Sequence, residues 1–178
     1  MIKSISELIK KAKKIKTKTL VVACAADEHV LEAVELARKE NIVNGILVGN
    51  VELIKEILIK LDIDVENYSY VNILDKTEAC LEAVKIVNTD KDFFLMKGLV
   101  DTSIILKAAL NKEFGLRTNN RISHVSVIEV STHPKLIFMS DGAMNIAPTL
   151  DEKRQIIENS VVIAHSLGIE NPNVGVLG

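Results

Sequence analysis

The run Thr19-Leu20-Val21-Val22-Ala23-Cys24 constrains the fold of this chain more than any other stretch. It is apolar without alternation. A strand of that kind shows apolar side chains on both faces, so both must be covered, as in a parallel sheet enclosed between layers of helices. Asp27 then reads as an N-cap, and Val30, Ala33, Val34 and Ala37 recur at helical spacing as far as Arg38.

The same alternation continues down the chain. Gly45 to Val48 reads as a strand, Asn50 as a cap and Glu52 to Leu61 as a helix. Tyr70 to Leu74, Thr77 to Val87 and Phe93 to Met96 repeat strand, helix and strand. Strands separated by single helices imply βαβ units with right-handed crossovers. The predicted fold class is α/β, with a Rossmann-like parallel sheet domain. Ahead of it, Ser4 and Glu7 form a capping-box pattern, and Ile5, Leu8, Ile9, Ala12 and Ile15 share one face of a helix running to Ile15. The lysines between positions 10 and 18 read as its solvated face.

Phe114 to Asn120, with Gly115 and two asparagines, forms the best internal boundary. The reading is therefore a first domain over 1–118, and over 119–178 the beginning of a second α/β domain. Ile122 to Val130 and Leu136 to Met139 read as hairpin partners around the turn Thr132-His133-Pro134-Lys135. Asp151 to Leu167 reads as a helix stopped at Gly168, and Val174-Gly175-Val176-Leu177 as the start of another strand.

Composition narrows the partners. Of 178 residues, 48% are apolar and 26% charged, which is a globular balance. A formal charge of −2 with 3% aromatic residues and no Trp gives neither general attraction to nucleic acid nor platforms for stacking bases. No apolar run approaches the ~20 residues that span a bilayer. Cys24 and Cys80 lack CxxC or His spacing and read as reduced core thiols, so the expectation is a cytoplasmic protein without metal, membrane or nucleic-acid partners. Neither βα turn at Ala25-Ala26-Asp27 or Gly49-Asn50 is a dinucleotide or P-loop motif.

Two stretches place polar groups where a strand stops and a helix starts. In the first, Lys97 and Gly98 follow a strand, and Asp101-Thr102-Ser103 opens the helix Ile104 to Leu110. A cation, a flexible backbone and unpaired helix N–H groups converge there, as a phosphate cradle requires. In the second, Leu136 to Met139 leads into Ser140-Asp141-Gly142, then Asn145, and Thr149 caps the next helix with Asp151 and Glu152 in its first turn. Ordinary turn and cap chemistry accounts for the same residues, and taken alone they leave both readings open.

The segments Leu95-Met96-Lys97-Gly98-Leu99-Val100-Asp101-Thr102, Arg121-Ile122-Ser123-His124-Val125-Ser126-Val127 and Met139 to Arg154 together resemble the phosphate acetyl/butyryltransferase family, the butyryltransferase branch most of all. The likeness runs through essentially the whole chain. It implies an architecture like that of the isocitrate and isopropylmalate dehydrogenases, and the reaction acyl-CoA plus phosphate giving acyl phosphate plus coenzyme A, with butyryl-CoA favoured. Coenzyme A is then a substrate and no cofactor is needed. The likeness also implies that Lys97, Gly98, Asp101, Thr102 and Lys107 contact phosphate or coenzyme A, and that Ser140, Asp141, Gly142, Asn145 and Thr149 orient substrate. At Lys107 the acetyltransferase branch often carries Arg, so the charge is kept and the bidentate fork lost.

Members of that family continue well beyond this point, into residues credited with activating the coenzyme A thiol. The expectation is therefore a truncated chain with low or no activity of its own, no assignable catalytic base, and a homo-oligomer only at full length. Two alternatives stand beside this one: a non-catalytic effector-binding domain, and a metal-dependent hydroxyacid dehydrogenase of the same architecture. The second needs clustered carboxylates and substrate-gripping arginines, whereas Asp141 is isolated in the sequence.

Overall fold

The computed structural model describes residues 2–177. The elements in chain order are α1 (Ile5–Ala12), β1 (Lys18–Ala23), α2 (Glu28–Lys39), β2 (Val43–Gly49), α3 (Val51–Lys60), a 3-10 turn (Val65–Asn67), β3 (Tyr68–Asn72), α4 (Lys76–Val87), β4 (Phe93–Lys97), α5 (Thr102–Ala109), β5 (Val125–Ile128), β6 (Ile137–Ser140) and α6 (Leu150–Ser166).

β1 is the middle of a four-stranded parallel sheet ordered β3-β2-β1-β4. Leu20 pairs with Gly45 on one side and Phe94 on the other, and Val22 with Leu47 and Met96. Alternate residues of β1 divide between two cores. Val21 and Ala23 meet Ala79, Cys80, Ala83 and Val84 of α4 and Ile105 and Ala108 of α5. Leu20 and Val22 meet Leu31 and Val34 of α2 and Ile54 and Leu58 of α3. Helices on both faces explain why the run lacks alternation.

The helix starts are fixed by side chains, at Asp27 and Asn50 as the sequence indicates and at Asp75 as well. Asp27 accepts from the Val30 N–H (3.0 Å), Asn50 from that of Leu53 (3.2 Å) and Asp75 from that of Glu78 (2.9 Å). Several extents differ from the sequence reading, and at β1 the strand ends at Ala23 so that Cys24 lies in the turn. α1 stops at Ala12, leaving Ile15 64% exposed. β3 runs from Tyr68 to Asn72 instead of ending at Leu74, because its register is set by Tyr68, whose ring lies where a side chain on Gly45 would be: a Cβ there would stand 2.7 Å from Tyr68 Cδ1. β5 is shorter than the run 122–130, since the residues before Val125 are held by side chains of α6.

The chain divides into two compact units. One is Lys13–Arg117, which holds the parallel sheet. The other joins the residues up to Ala12 to those from Thr118 onward. α1 thus packs outside the unit to which a boundary at 118 would assign it. The cause is apolar: Ile2, Leu136 and Leu167 form the core of the second unit, with Ile5, Leu8, Val127 and Phe138 packed against it. β5 and β6 form an antiparallel hairpin, Val125 opposite Ser140 and Ile128 opposite Ile137, covered by α6. Val174 to Leu177 form no strand and are exposed.

One charged group is buried in the first unit. Glu35, 5% exposed, accepts from Arg38 Nε (2.7 Å) and Nη2 (3.0 Å) and from the Tyr68 hydroxyl (2.6 Å). The Arg38 guanidinium, opposed by burial and aided by the Tyr68 hydroxyl, holds the Glu35 carboxyl down at about 2. A carboxyl depressed in the folded state stabilises fully above its unfolded value near 4.5, and that contribution disappears as pH falls toward 2. Urea titrations should show Glu35→Gln less stable by about 2 kcal/mol at neutral pH, and should show the difference from the parent shrinking between pH 4.5 and 2.

Candidate functional site

Along the sheet the chain steps outward from β1 to β2 and β3, then returns to the other side of β1 to lay down β4. The reversal lies between the carboxyl ends of β1 and β4, the position at which open α/β sheets form a crevice. The loops that meet there are 24–27 and 97–101.

These loops are joined through their backbones. The Gly98 N–H donates to the Ala23 carbonyl (2.8 Å) and the Leu99 N–H to that of Cys24 (2.9 Å). A Cβ on Gly98 would stand 2.2 Å from the Cys24 oxygen and 2.7 Å from that of Ala23. Only glycine permits this approach. Cys24 itself turns the chain with φ 57°, in the left-handed region.

Lys97 folds back over the same loop. Its Nζ donates to the carbonyls of Gly98 (3.2 Å) and Val100 (3.0 Å). An ammonium has three protons, so one remains for a ligand. α5 starts immediately beyond, and here the N-cap differs from those of α2, α3 and α4: Asp101 has cap geometry, but its side chain accepts no N–H. The first N–H groups of α5 therefore have no side-chain acceptor, beside exposed Asp101, Thr102 and Ser103. Lys97, Gly98, Asp101 and Thr102 are thus brought together. Lys107 lies in the last turn of α5, and the helical rise puts it about 7.5 Å along the axis from Thr102.

The other five residues lie in the second unit and form a loop tied to α6. β6 ends at Ser140, whose hydroxyl donates to the His124 carbonyl (3.2 Å). Asp141, at φ 56°, donates its N–H to the same carbonyl (2.8 Å), and its carboxylate accepts from the N–H groups of Asn145 (3.0 Å) and His124 (3.4 Å). Asn145 donates to the Ile122 carbonyl (3.1 Å) and accepts from Arg121 Nε (2.6 Å). Thr149 and Glu152 form a capping box on α6, and Glu152 also pairs with Arg121 at 2.6 Å. Ser140, Asp141, Asn145 and Thr149 thus hold the loop, and Gly142 is exposed.

Arg121 has no role in the sequence reading beyond its place in the segment Arg121 to Val127. It is the hub: its backbone is held by Gln155 (2.7 Å) and Asn159 (2.9 Å), its side chain by Asn145 and Glu152. The available signal was the spacing of Glu152, Gln155 and Asn159, which form a polar stripe along one face of α6. A cavity of about 980 Å³ opens within this unit between β6, α6 and residues 171–177, touching Ser140, Asp141 and Gly142.

The two thiols stay inside the first unit. Cys80 is fully buried and pushed up to about 12, chiefly by burial, and burial raises Cys24 as well. Thiols so far from ionisation are poor nucleophiles. Among the described residues, no three His, Cys, Asp or Glu side chains gather as a metal site, and no helix is long and apolar enough to cross a membrane.

A parallel sheet with its loops joined at the reversal point, followed by a strand-loop-helix unit, places the chain among open-sheet α/β proteins. The family model of phosphate acetyl/butaryl transferase matches residues 4–92 and 75–178, and the chain belongs to that family. It is 47% identical over 174 residues to phosphate butyryltransferase of Clostridium acetobutylicum, an alignment covering 98% of this chain and 58% of that one. Against phosphate acetyltransferase of Thermotoga maritima it is 38% identical over 165 residues, 92% of this chain and 55% of the other. The chain thus spans a little over half the length of these relatives.

Solved structures agree on the fold. A branched-chain phosphotransacylase from Enterococcus faecalis superposes with a TM-score of 0.68 at 29% identity, covering 88% of this chain and 54% of the other. A phosphotransacetylase from Streptococcus pyogenes gives 0.70 at 18% identity, covering 94% and 60%, a likeness of fold alone. The α/β class and the isocitrate dehydrogenase-like architecture expected from the sequence stand.

The closeness at Gly98 has a measurable consequence. Gly98→Ala should lower stability by about 3 kcal/mol in thermal or urea unfolding, because backbone and not a flexible side chain opposes the added carbon. Gly142→Ala, whose Cβ would meet only Met139 Cε at 3.9 Å, should leave it within about 0.5 kcal/mol.

Proposed function

We propose that this chain carries the anion-holding part of a phosphate acyltransferase that converts an acyl-CoA and inorganic phosphate to an acyl phosphate and coenzyme A, with butyryl-CoA as the favoured substrate. Family membership supports the reaction class, and the 47% identity to the Clostridium acetobutylicum butyryltransferase supports the acyl group. The observation that carries the assignment to particular atoms is the loop 97–102. It offers one unused Lys97 proton and the side-chain-free N–H groups at the start of α5.

In this reaction a phosphate oxygen attacks the thioester carbonyl, the carbon–sulfur bond breaks and the departing thiolate takes up a proton. Positioned positive charge and N–H donors lower such a barrier by holding the phosphate in line and by balancing charge as it develops. Lys97, Lys107 and the helix start near Thr102 bind phosphate groups in this reading, and Gly98 and Asp101 belong to the same cleft wall. Ser140, Asp141, Gly142, Asn145 and Thr149 shape the wall that orients the substrate. No residue here is assigned as the base or acid for coenzyme A. The isolated chain is accordingly expected to turn over slowly or not at all.

The test is thiol release from butyryl-CoA with and without phosphate, by the chain itself and by a fusion carrying the remaining length of the Clostridium acetobutylicum relative. Phosphate-dependent release by the fusion is the expected result, and no release by either protein overturns the reading. In the fusion, Lys97→Met should raise KM for phosphate about tenfold, the loss of one charge-assisted contact.

A further inference from the structure

We propose that Asp141-Gly142 is a site of spontaneous isomerisation to isoaspartate, and that the fold directs this chemistry there while suppressing it at Asn44-Gly45. The proposal is independent of the acyltransferase reading. Asn44-Gly45 and Asp141-Gly142 are the pairs in which glycine follows Asn or Asp. In both, the missing Cβ leaves the glycine nitrogen open to attack the preceding side chain. In an unfolded chain the asparagine pair reacts faster, because its side chain is a neutral amide, whereas aspartate at neutral pH is almost wholly the carboxylate, a poor electrophile.

The fold treats the two pairs differently. Gly45 is buried in β2, an inner strand, opposite Leu20 on one side and Tyr68 on the other. Ladder bonds on both sides fix its peptide plane, and the Tyr68 ring fills the space beside it. The rotation that brings a nitrogen onto the Asn44 side chain would break that ladder.

At Asp141 the ladder has ended. Gly142 is exposed, its N–H has no acceptor among the described residues, and the nearest heavy atom to a Cβ there is 3.9 Å away. Asp141 sits at φ 56°, and its carboxylate bends forward over the following loop to reach the Asn145 N–H at 3.0 Å. The electrophile is thus anchored in the loop that carries the free Gly142 nitrogen.

The step balances without any outside reagent but water. The Gly142 nitrogen attacks Cγ of the carboxylic acid, a C–N bond forms, and the acid hydroxyl leaves with the amide proton as water, giving a succinimide. Hydrolysis at the side-chain carbonyl restores aspartate. Hydrolysis at the main-chain carbonyl leaves the backbone running through the side chain. That product has one more methylene in the main chain, and its carboxylate can no longer accept from both Asn145 and His124, so the loop from Asp141 to Thr149 loses a tether.

The experiment ages the full chain for weeks at neutral pH and physiological temperature, with a parallel sample unfolded in urea. Isoaspartate is read by isoaspartyl methyltransferase labelling and electron-transfer fragmentation, and deamidation by mass. In the folded sample isoaspartate should accumulate at 141 while Asn44 keeps its amide; in urea the order should reverse. Gly142→Ala should suppress the folded-state labelling without moving Tm. Isoaspartate at 141 that is absent from the folded chain, or that forms only in urea, overturns the proposal. So does Asn44 deamidation that proceeds equally in both states.

Discussion

Burial of β1 on both faces is the constraint from which the first unit follows. Val21, Val22 and Ala23 have no exposed surface at all, and their side chains alternate between two helix layers. Once that strand is enclosed, its neighbours must be parallel strands with helical crossovers, because only these put helices on both faces. The crossovers in turn make one reversal of direction, between β1 and β4. The position of the first candidate loop is thus a product of hydrophobic burial, settled before any polar residue acts. What the polar residues add is local: Gly98 lets two backbones touch, and Lys97 closes the loop that results.

The second unit is organised by a different force. Its buried apolar residues are Ile2, Leu136, Ile156, Ala164 and Leu167, none of which lies in the loop 141–149. Hydrogen bonds hold that loop instead. Asn145, Gln155 and Asn159 satisfy carbonyl and N–H groups in the stretch before β5, where no ladder is available, and the Arg121 side chain links Asn145 to Glu152. An unsatisfied backbone group costs about as much as a lost hydrogen bond, so each tether decides the shape of the loop by more than its net worth.

This difference explains what could be read from the amino acids. In the first unit, helix starts at Asp27 and Asn50 and the strand at 19–24 were legible because burial period and caps are local signals. The extent of β3 was not. It depends on Tyr68 filling the space beside Gly45, a pairing between residues 23 positions apart that neither residue announces. Ile15 misled for a related reason: it fits the periodicity of α1, but the chain must straighten to enter β1 at Lys18. In the second unit the sequence marked Ser140, Asp141 and Asn145 as notable. It did not show that Arg121 ties Asn145 to α6, because that role arises from three residues of α6 coming to one face.

The internal commitments of the candidate residues bear on what each can offer a ligand. Asp141 and Asn145 spend their side-chain groups on their own backbone, and Lys97 spends two of its three protons. Such residues act mainly by holding backbone N–H groups and carbonyls in place. The cost is borne at the glycines. Gly98 is protected because backbone surrounds it on the side of β1, and Gly142 is not, since its loop is held by side chains that leave its own nitrogen free. The openness that exposes the Gly142 nitrogen therefore belongs to the unit whose loop is held by hydrogen bonds and not by packing.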